Sequence, residues 1–311
     1  MQRAVRDHLV GLGYLEVETP LLVPAPGMEP HIRAFEVPFV PETDLGSART
    51  LYLHTSPEYA MKRLLADGAG PIFQICKVFR NGEVSVQHNP EFTMLEFYRP
   101  HADYRAVMAD LESTLAAVAV ALGKEGIFSR VPYERLTVRE ALFRHTGIDL
   151  QSQGSQLAAA ARRLGVRVQE EDGFEDVFFR LLLEHVEPHL GRDRPTYLVD
   201  YPASMASLAR IKPEDPTVAE RFELYAQGIE LANGFSELTD AAEQQRRLEE
   251  ERAWRTAHGR PAYPLDPRFL EAVGRMPPSG GVAVGLDRVL MLLLGAKRIE
   301  DVLLFPAHDF V

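Results

Sequence analysis

Phe79-Arg80-Asn81, a polar loop, and then His88-Asn89-Pro90-Glu91-Phe92-Thr93-Met94-Leu95-Glu96-Phe97-Tyr98 form the stretch that decides the fold. Ile72 to Arg80 reads as a strand and Phe92 to Arg99 as its return. Alternate side chains of a strand share a face, so Arg80 lies with Gln74, Cys76 and Val78, and Glu96 lies with Tyr98. One lip of the hairpin carries an arginine and the other carries two acceptors. An echo follows at Glu230 to Glu237, where Asn233, Phe235 and Glu237 share a face of a third strand, Leu231 to Leu238.

Outward from this hairpin, Val5, Leu9 and Leu12 lie on one helical face that Gly13 can stop, and Tyr14 to Thr19 reads as a strand ended by Pro20. Thr55-Ser56-Pro57-Glu58 opens a helix with Met61, Leu64 and Leu65 inward. Tyr104 to Leu122 is a long amphipathic helix closed by Gly123, and Thr137 to Glu140 resembles a capping box for a helix ending near Gly147. Residues 148–192 read as a small helical insertion. Thr196 to Tyr201 and Arg221 to Tyr225 are strands, Asp240 to His258 is a charged helix, and Asp266-Pro267 starts a short one. Gly280 to Gly285 is a Gly-spaced strand leading into the apolar helix Leu286 to Leu294. Strands separated by uneven helical pieces predict an α+β fold, an antiparallel sheet flanked by helices, in one catalytic domain over 1–311. No GxGxxG or GxxxxGK[ST] pattern supports a Rossmann or P-loop reading.

The 311 residues are 46% hydrophobic and 25% charged, which suits a soluble globular protein. No apolar run approaches the roughly 20 residues of a membrane span. The single cysteine, Cys76, excludes an intrachain disulfide and a Cys-rich zinc site, and fits a cytoplasmic location. A formal net charge of −11, with no evident basic face, speaks against a nucleic-acid partner. Glu243 to Arg255 alternates in sign and reads as a solvated helix face.

Glu96, Tyr98, Asn233, Phe235 and Glu237 suggest a slot on the sheet with two carboxylates and a phenol at its end, suited to a long aliphatic ammonium such as lysine. Buried carboxylates need a cation. A protein arginine could supply it instead, leaving no substrate role. Glu223 and Glu230 bracket the turn before the third strand and offer hard oxygens for Mg²⁺, or are surface charges. Glu58 is either a ligand or the end of a capping box begun by Thr55, His88 a ligand or a hairpin residue, and Arg288 needs an anionic partner of some kind.

Together these blocks are recognisable. Gly13 to Pro20 (Gly-Tyr-Leu-Glu-Val-Glu-Thr-Pro) resembles motif 1 of class II aminoacyl-tRNA synthetases, Phe79-Arg80-Asn81 through Glu96 resembles motif 2, and Gly280 to Arg288 resembles motif 3. Glu230-Leu231-Ala232-Asn233-Gly234-Phe235-Ser236-Glu237 is similar to the lysine-recognition segment of lysyl-tRNA synthetases. No N-terminal OB-fold anticodon-binding domain is expected, and no tRNA. Ser56-Pro57-Glu58-Tyr59, the His88 to Glu96 block and Ala283, where lysyl-tRNA synthetases usually have glycine, are similar to the elongation factor P–(R)-β-lysine ligase family.

That resemblance implies ATP and Mg²⁺, a homodimer built on motif 1, and transfer of (R)-β-lysine or lysine to a lysine amine of elongation factor P. It places Arg80 and Arg288 on ATP phosphates, Glu223 and Glu230 on Mg²⁺, and Asn81, Gly82, Glu83, His88, Asn89, Phe92, Leu231 and Gly285 around the nucleotide. It places Ser56 and Glu58 near the substrate's amino group, Glu96, Tyr98 and Glu237 at its far ammonium, Asn233 at its carboxylate, and Phe235 and Ala283 on the pocket wall. Gly82 departs from the pattern, because the family usually has glutamate there and here Glu83 follows. Two rivals stay open: a synthetase-like ligase with another acceptor, and a non-catalytic paralogue.

Overall fold

The computed structural model describes residues 1–44, 46–150 and 156–309. Its strands are β1 (Leu15–Glu16), β2 (Leu22–Val23), β3 (Phe35–Phe39), β4 (Arg49–Leu53), β5 (Ile72–Phe79), β6 (Glu91–Pro100), β7 (Glu134–Thr137), β8 (Thr196–Pro202), β9 (Val218–Ala226), β10 (Ile229–Ser236) and β11 (Ser279–Gly285). Eight of them form one sheet in the order β1-β5-β6-β11-β10-β9-β8-β7, and β2-β4-β3 form a second. The six central strands of the large sheet are antiparallel, as the sequence predicts. Each edge adds a parallel pair, β1 with β5 and β7 with β8. The expected strand Tyr14 to Thr19 shrinks to the two residues of β1, and the small sheet was not anticipated, because Pro38 and scattered polar residues hide the alternation of β3 and β4.

Alternation gives the large sheet two different faces. Phe73, Leu95, Phe97, Val282, Val284, Ala232, Phe222 and Leu224 are buried on one, against Val107, Met108, Leu111, Leu115 and Val118 of the helix Tyr104–Ala121. Each of the larger of these side chains contributes about 1.5–3 kcal/mol when buried. A one-residue slip of any central strand would drive the polar residues of the opposite face into this core, so the register is strongly specified.

Asp103 caps the Tyr104 helix through the N–H groups of Arg105 and Ala106. The Thr137–Glu140 capping box is present, and Gly147 ends that helix in the left-handed conformation. Residues 148–192 contain the helices Leu157–Arg163 and Phe174–Leu181, packed with Leu136, Val138 and Leu198 in a second core, while the part of the expected insertion at 151–155 lies outside the described residues. The charged helix Ala241–Ala257 carries ion pairs of Glu243 with Arg246 and Arg247, yet its Gln244, Leu248 and Arg255 are buried, so only part of it is a solvated face.

Candidate active site

Register places the candidate residues in two parallel rows on the face opposite the core. Gln74 lies opposite Glu96, Glu96 opposite Ala283, Ala283 opposite Asn233, and Asn233 opposite Glu223. The neighbouring row runs Ile72, Tyr98, Gly281, Phe235, Arg221. Directly paired residues point the same way, with their Cβ atoms about 4.5–5.5 Å apart. Sequence-distant groups therefore converge without any loop having to place them.

At one end of the rows the helix Glu58–Ala66 lies over the sheet. Ser56 Oγ donates to Glu96 Oε2 at 2.7 Å, and Tyr98 Oη donates to Glu96 Oε1 at 2.5 Å. Glu58 does not complete a capping box with Thr55. Pro57 is the N-cap, the Glu58 N–H donates to Ser56 Oγ, and the Thr55 hydroxyl has no partner. The Glu58 carboxylate instead meets Lys62 Nζ at 2.6 Å, and the same Nζ lies 2.6 Å from Glu237 Oε2 and 5.1 Å from the centre of the Phe235 ring. Lys62 is 1% exposed. Burial alone would lower its pKa, but Glu237 and Glu58 more than offset this, so it stays charged.

This ion pair bears on two of the alternatives. A protein cation does pair with Glu237, though it is a lysine and not an arginine, and it does not neutralise the cluster. Glu58, Glu96 and Glu237 are three carboxylates around one ammonium, and Glu237 Oε1 is buried with no partner. Burial first, then repulsion by Glu58, holds Glu96 above the usual carboxylate range. Burial raises Glu237 likewise, against the opposing pull of Lys62. A further cation would relieve both. Gly281 makes room for the cluster, since a Cβ there would stand 2.3 Å from Glu237 Oε1 and 2.4 Å from Tyr98 Cε1.

Further along the strands, past Phe79, Glu91 and Gly285, stand the basic groups. The Arg80 guanidinium lies over the Phe92 ring at 5.1 Å and 3.8 Å from Glu83 Oε2, and its buried Nε has no partner. Gly82 turns with φ +89°, a backbone that a glutamate would adopt only under strain, and so Glu83 is the residue that reaches Arg80. Arg288 donates to the Gln87 and Glu230 carbonyls at 3.2 and 2.8 Å and to His88 Nε2 at 2.5 Å. The acceptor role of Nε2 leaves the proton on Nδ1, facing Ser85 Oγ at 2.8 Å. Burial and the charges of Arg288 and Arg80 lower the His88 pKa to about 4, so the ring is neutral.

Glu223 and Glu230 are close enough to repel. Burial, and then Glu223, raises the Glu230 pKa, against Arg288 and Arg80. Glu223 is also heavily bonded within the protein, accepting from Tyr201 Oη at 2.5 Å, Tyr225 Oη at 2.6 Å and Arg221 at 2.6 Å. Arg221 Nε further reaches Asn233 Oδ1 at 3.4 Å. Two of the nucleotide-side residues have their side chains engaged within the protein. Asn89 is committed to the fold, donating to the Glu91 carbonyl and accepting from the Ala307 N–H, because its amide bridges the loop to the C-terminal segment. The Leu231 side chain belongs to the core, because a register shift between Glu230 and Ala232 breaks the β10 alternation that would otherwise set it beside Asn233. Gly285 meets only ordinary contacts, so the protein itself does not require glycine there.

The sequence reading missed Lys62 and Arg221. Both carried a signal. Lys62 is four residues after Glu58 on the same helical face, and Arg221 is two before Glu223 on the same strand face.

The fold and the two-ended site define a class: residues 1–309 match the model for class II tRNA synthetases (D, K and N), and the chain belongs to that family. Within it, the chain is 46% identical over 306 residues to the elongation factor P–(R)-beta-lysine ligases of Salmonella arizonae and an Enterobacter species, and 45% identical to that of Salmonella typhi. These alignments cover 97% of this chain and 91% of each relative. No helix among the described residues is long and apolar enough to cross a membrane.

Proposed function

We propose that the protein is an ATP-dependent ligase that activates (R)-β-lysine, or lysine, and transfers it to a lysine ε-amine of elongation factor P in the cytoplasm. The observation that carries this reading is the buried cluster of Glu58, Glu96 and Glu237 around the single ammonium of Lys62, with Glu237 Oε1 unpartnered. Such a cluster is costly without a second cation. The relatives' names supply the amino acid and the acceptor.

In the first step a substrate carboxylate oxygen attacks the α-phosphorus of ATP, the bond to the β-phosphate bridging oxygen breaks, and pyrophosphate leaves with that electron pair. In the second, the acceptor amine attacks the carbonyl carbon of the adenylate. AMP leaves, an amide forms, and the amine releases a proton to water. Glu96, Tyr98 and Glu237 hold the far ammonium, Ser56 and Glu58 the near amino group, and Asn233 the carboxylate end, with Phe235 and Ala283 as walls. Arg80, stacked on Phe92, and Arg288, oriented by neutral His88, face the phosphates, with Asn81, Gly82 and Glu83 shaping the loop beneath. No side chain acts as a covalent nucleophile; positioning and charge neutralisation carry the rate.

Glu223 and Glu230 fit Mg²⁺ in donor chemistry and in their mutual repulsion, which a divalent cation would cancel. Bound there, the ion would neutralise phosphate charge. The exposed apolar residues Val10, Leu12, Leu15, Leu21 and Leu22 around motif 1 support a homodimer. The whole chain forms one catalytic unit that works without tRNA. Mass spectrometry of elongation factor P incubated with the protein, ATP, Mg²⁺, tRNA and each lysine isomer tests the reading. An added lysyl mass is expected; an unmodified acceptor alongside charged tRNA would replace the reading with that of a tRNA-charging enzyme.

A further inference from the structure

Among the described residues, a second acidic element borders the ammonium cluster and has no place in the roles given above. Glu29 lies in the loop between β2 and β3, and one of its carboxylate oxygens, Oε2, is buried with no hydrogen-bond partner. It lines a cavity of about 20 Å³ together with Gly27, His54, Ser56 and Glu58. A space of that size admits one water-sized group, such as an ammonium head.

Among the described residues no cation lies within ion-pair distance of this carboxylate, although Arg80 and Arg255 act on it from further off. Arg255 is nearby, but its guanidinium donates to the backbone carbonyls of Glu29, Ile32 and Pro261 at 2.6, 2.9 and 2.7 Å. Arg80 lies towards Glu83. The facing groups are acidic: Glu58 and Glu251 both act on the same neighbourhood, and burial followed by repulsion from Glu58 raises the Glu29 pKa. Gly27 leaves the carboxylate its position, for a Cβ there would stand 2.3 Å from Oε2. His54 cannot supply a charge, since burial lowers its pKa and its Nε2 meets the Lys77 carbonyl at 2.7 Å.

We infer that Glu29 is a specificity-determining residue that, with Glu58, binds the second ammonium of a substrate carrying two, the one nearer the carboxylate. The inference rests on the proposed lysine-type substrate and adds to it. Lys62 already holds one oxygen of Glu58. The unpartnered oxygen of Glu29, which lines the same cavity as Glu58, is the acceptor that a near ammonium lacks if Glu58 acts alone. The site then selects diamino acids over amino acids that bear only the terminal amine.

Calorimetric titration of the full chain tests this with three ligands: (R)-β-lysine, α-lysine and 6-aminohexanoic acid, which has the far ammonium alone. Glu29→Gln keeps the shape and removes the charge. The variant is expected to bind the preferred lysine isomer roughly tenfold or more weakly, with affinity for 6-aminohexanoic acid unchanged. Glu29→Asp, which keeps the charge but withdraws it, should fall between. Equal weakening for all three ligands would make Glu29 a loop prop and overturn the inference, as would unchanged affinity for both lysine isomers. If the unaltered protein binds no lysine isomer, the functional reading itself falls and this inference with it.

Discussion

Glu237→Gln isolates one charge in the ammonium cluster with almost no change of shape. Glu237 Oε2 lies 2.6 Å from Lys62 Nζ, and Oε1 is buried without a partner, the acceptor proposed for a substrate ammonium. Two unit charges about 4 Å apart attract by ~4 kcal/mol at the effective dielectric of a partly screened protein site. Glutamine retains a carbonyl acceptor, so only part of that is lost, and hydrogen bonds to charged groups are worth about 1.5–3 kcal/mol. Lys62, released from one of its two partners, adds repulsion. The expected weakening is about 2–3 kcal/mol, or roughly 30- to 150-fold in KM for the lysine isomer, with KM for ATP little changed. Amino-acid-dependent pyrophosphate exchange measures both. Unchanged KM for lysine isomers would refute the assignment, and so would an equal loss with an analogue that lacks the terminal amine.

Three further outcomes are expected. Gly281→Ala forces a methyl to within 2.3 Å of Glu237 Oε1, so exchange activity should fall at least tenfold and thermal stability should drop; full activity would show that the cluster can move aside. Ala283→Gly should shift preference towards α-lysine by about 1–3 kcal/mol, the usual value of a methyl group in a pocket; an unaltered ratio of exchange rates for the two isomers would exclude this methyl as the selector. The third concerns pH. Burial, above all, holds Glu96 and Glu237 over the ordinary carboxylate range. The folded state then binds more protons than the unfolded one between the ordinary and raised values, so stability falls as pH rises across that interval. A bound ammonium removes this loss, and the melting-temperature gain on adding a lysine isomer should grow with pH; a gain independent of pH would show that the carboxylates are already ionised without it.

The central sheet was legible because its two faces differ so sharply: Phe73, Leu95 and Phe97 alternate with Gln74, Glu96 and Tyr98, and the register follows once the apolar set is buried. Bringing Glu96, Ala283 and Asn233 into one row needed only that alternation plus strand order. Single side chains that break their local pattern were legible only through weak signals such as the spacing of Lys62 from Glu58. Lys62 sits on a helix whose inward positions read as Met61, Leu64 and Leu65, yet it is buried, and Leu64 is only partly so. Helical periodicity assigns charge to the outside, and only tertiary partners such as Glu237 reverse that. The structural role of Asn89 was hidden for a related reason, since a motif gives the residue but not whether its amide is already engaged, here by Ala307.

The row from Glu96 through Ala283 to Asn233 also works as a ruler. Neighbouring strands lie about 4.8 Å apart, so the two anchors stand roughly 10 Å apart at the backbone. Backbone hydrogen bonds of three paired strands fix that span, and no side-chain rotamer can shorten it. In the proposed complex a chain one methylene shorter, as in ornithine, reaches both anchors only by drawing one of their side chains inward, so the sheet itself sets the length the site favours.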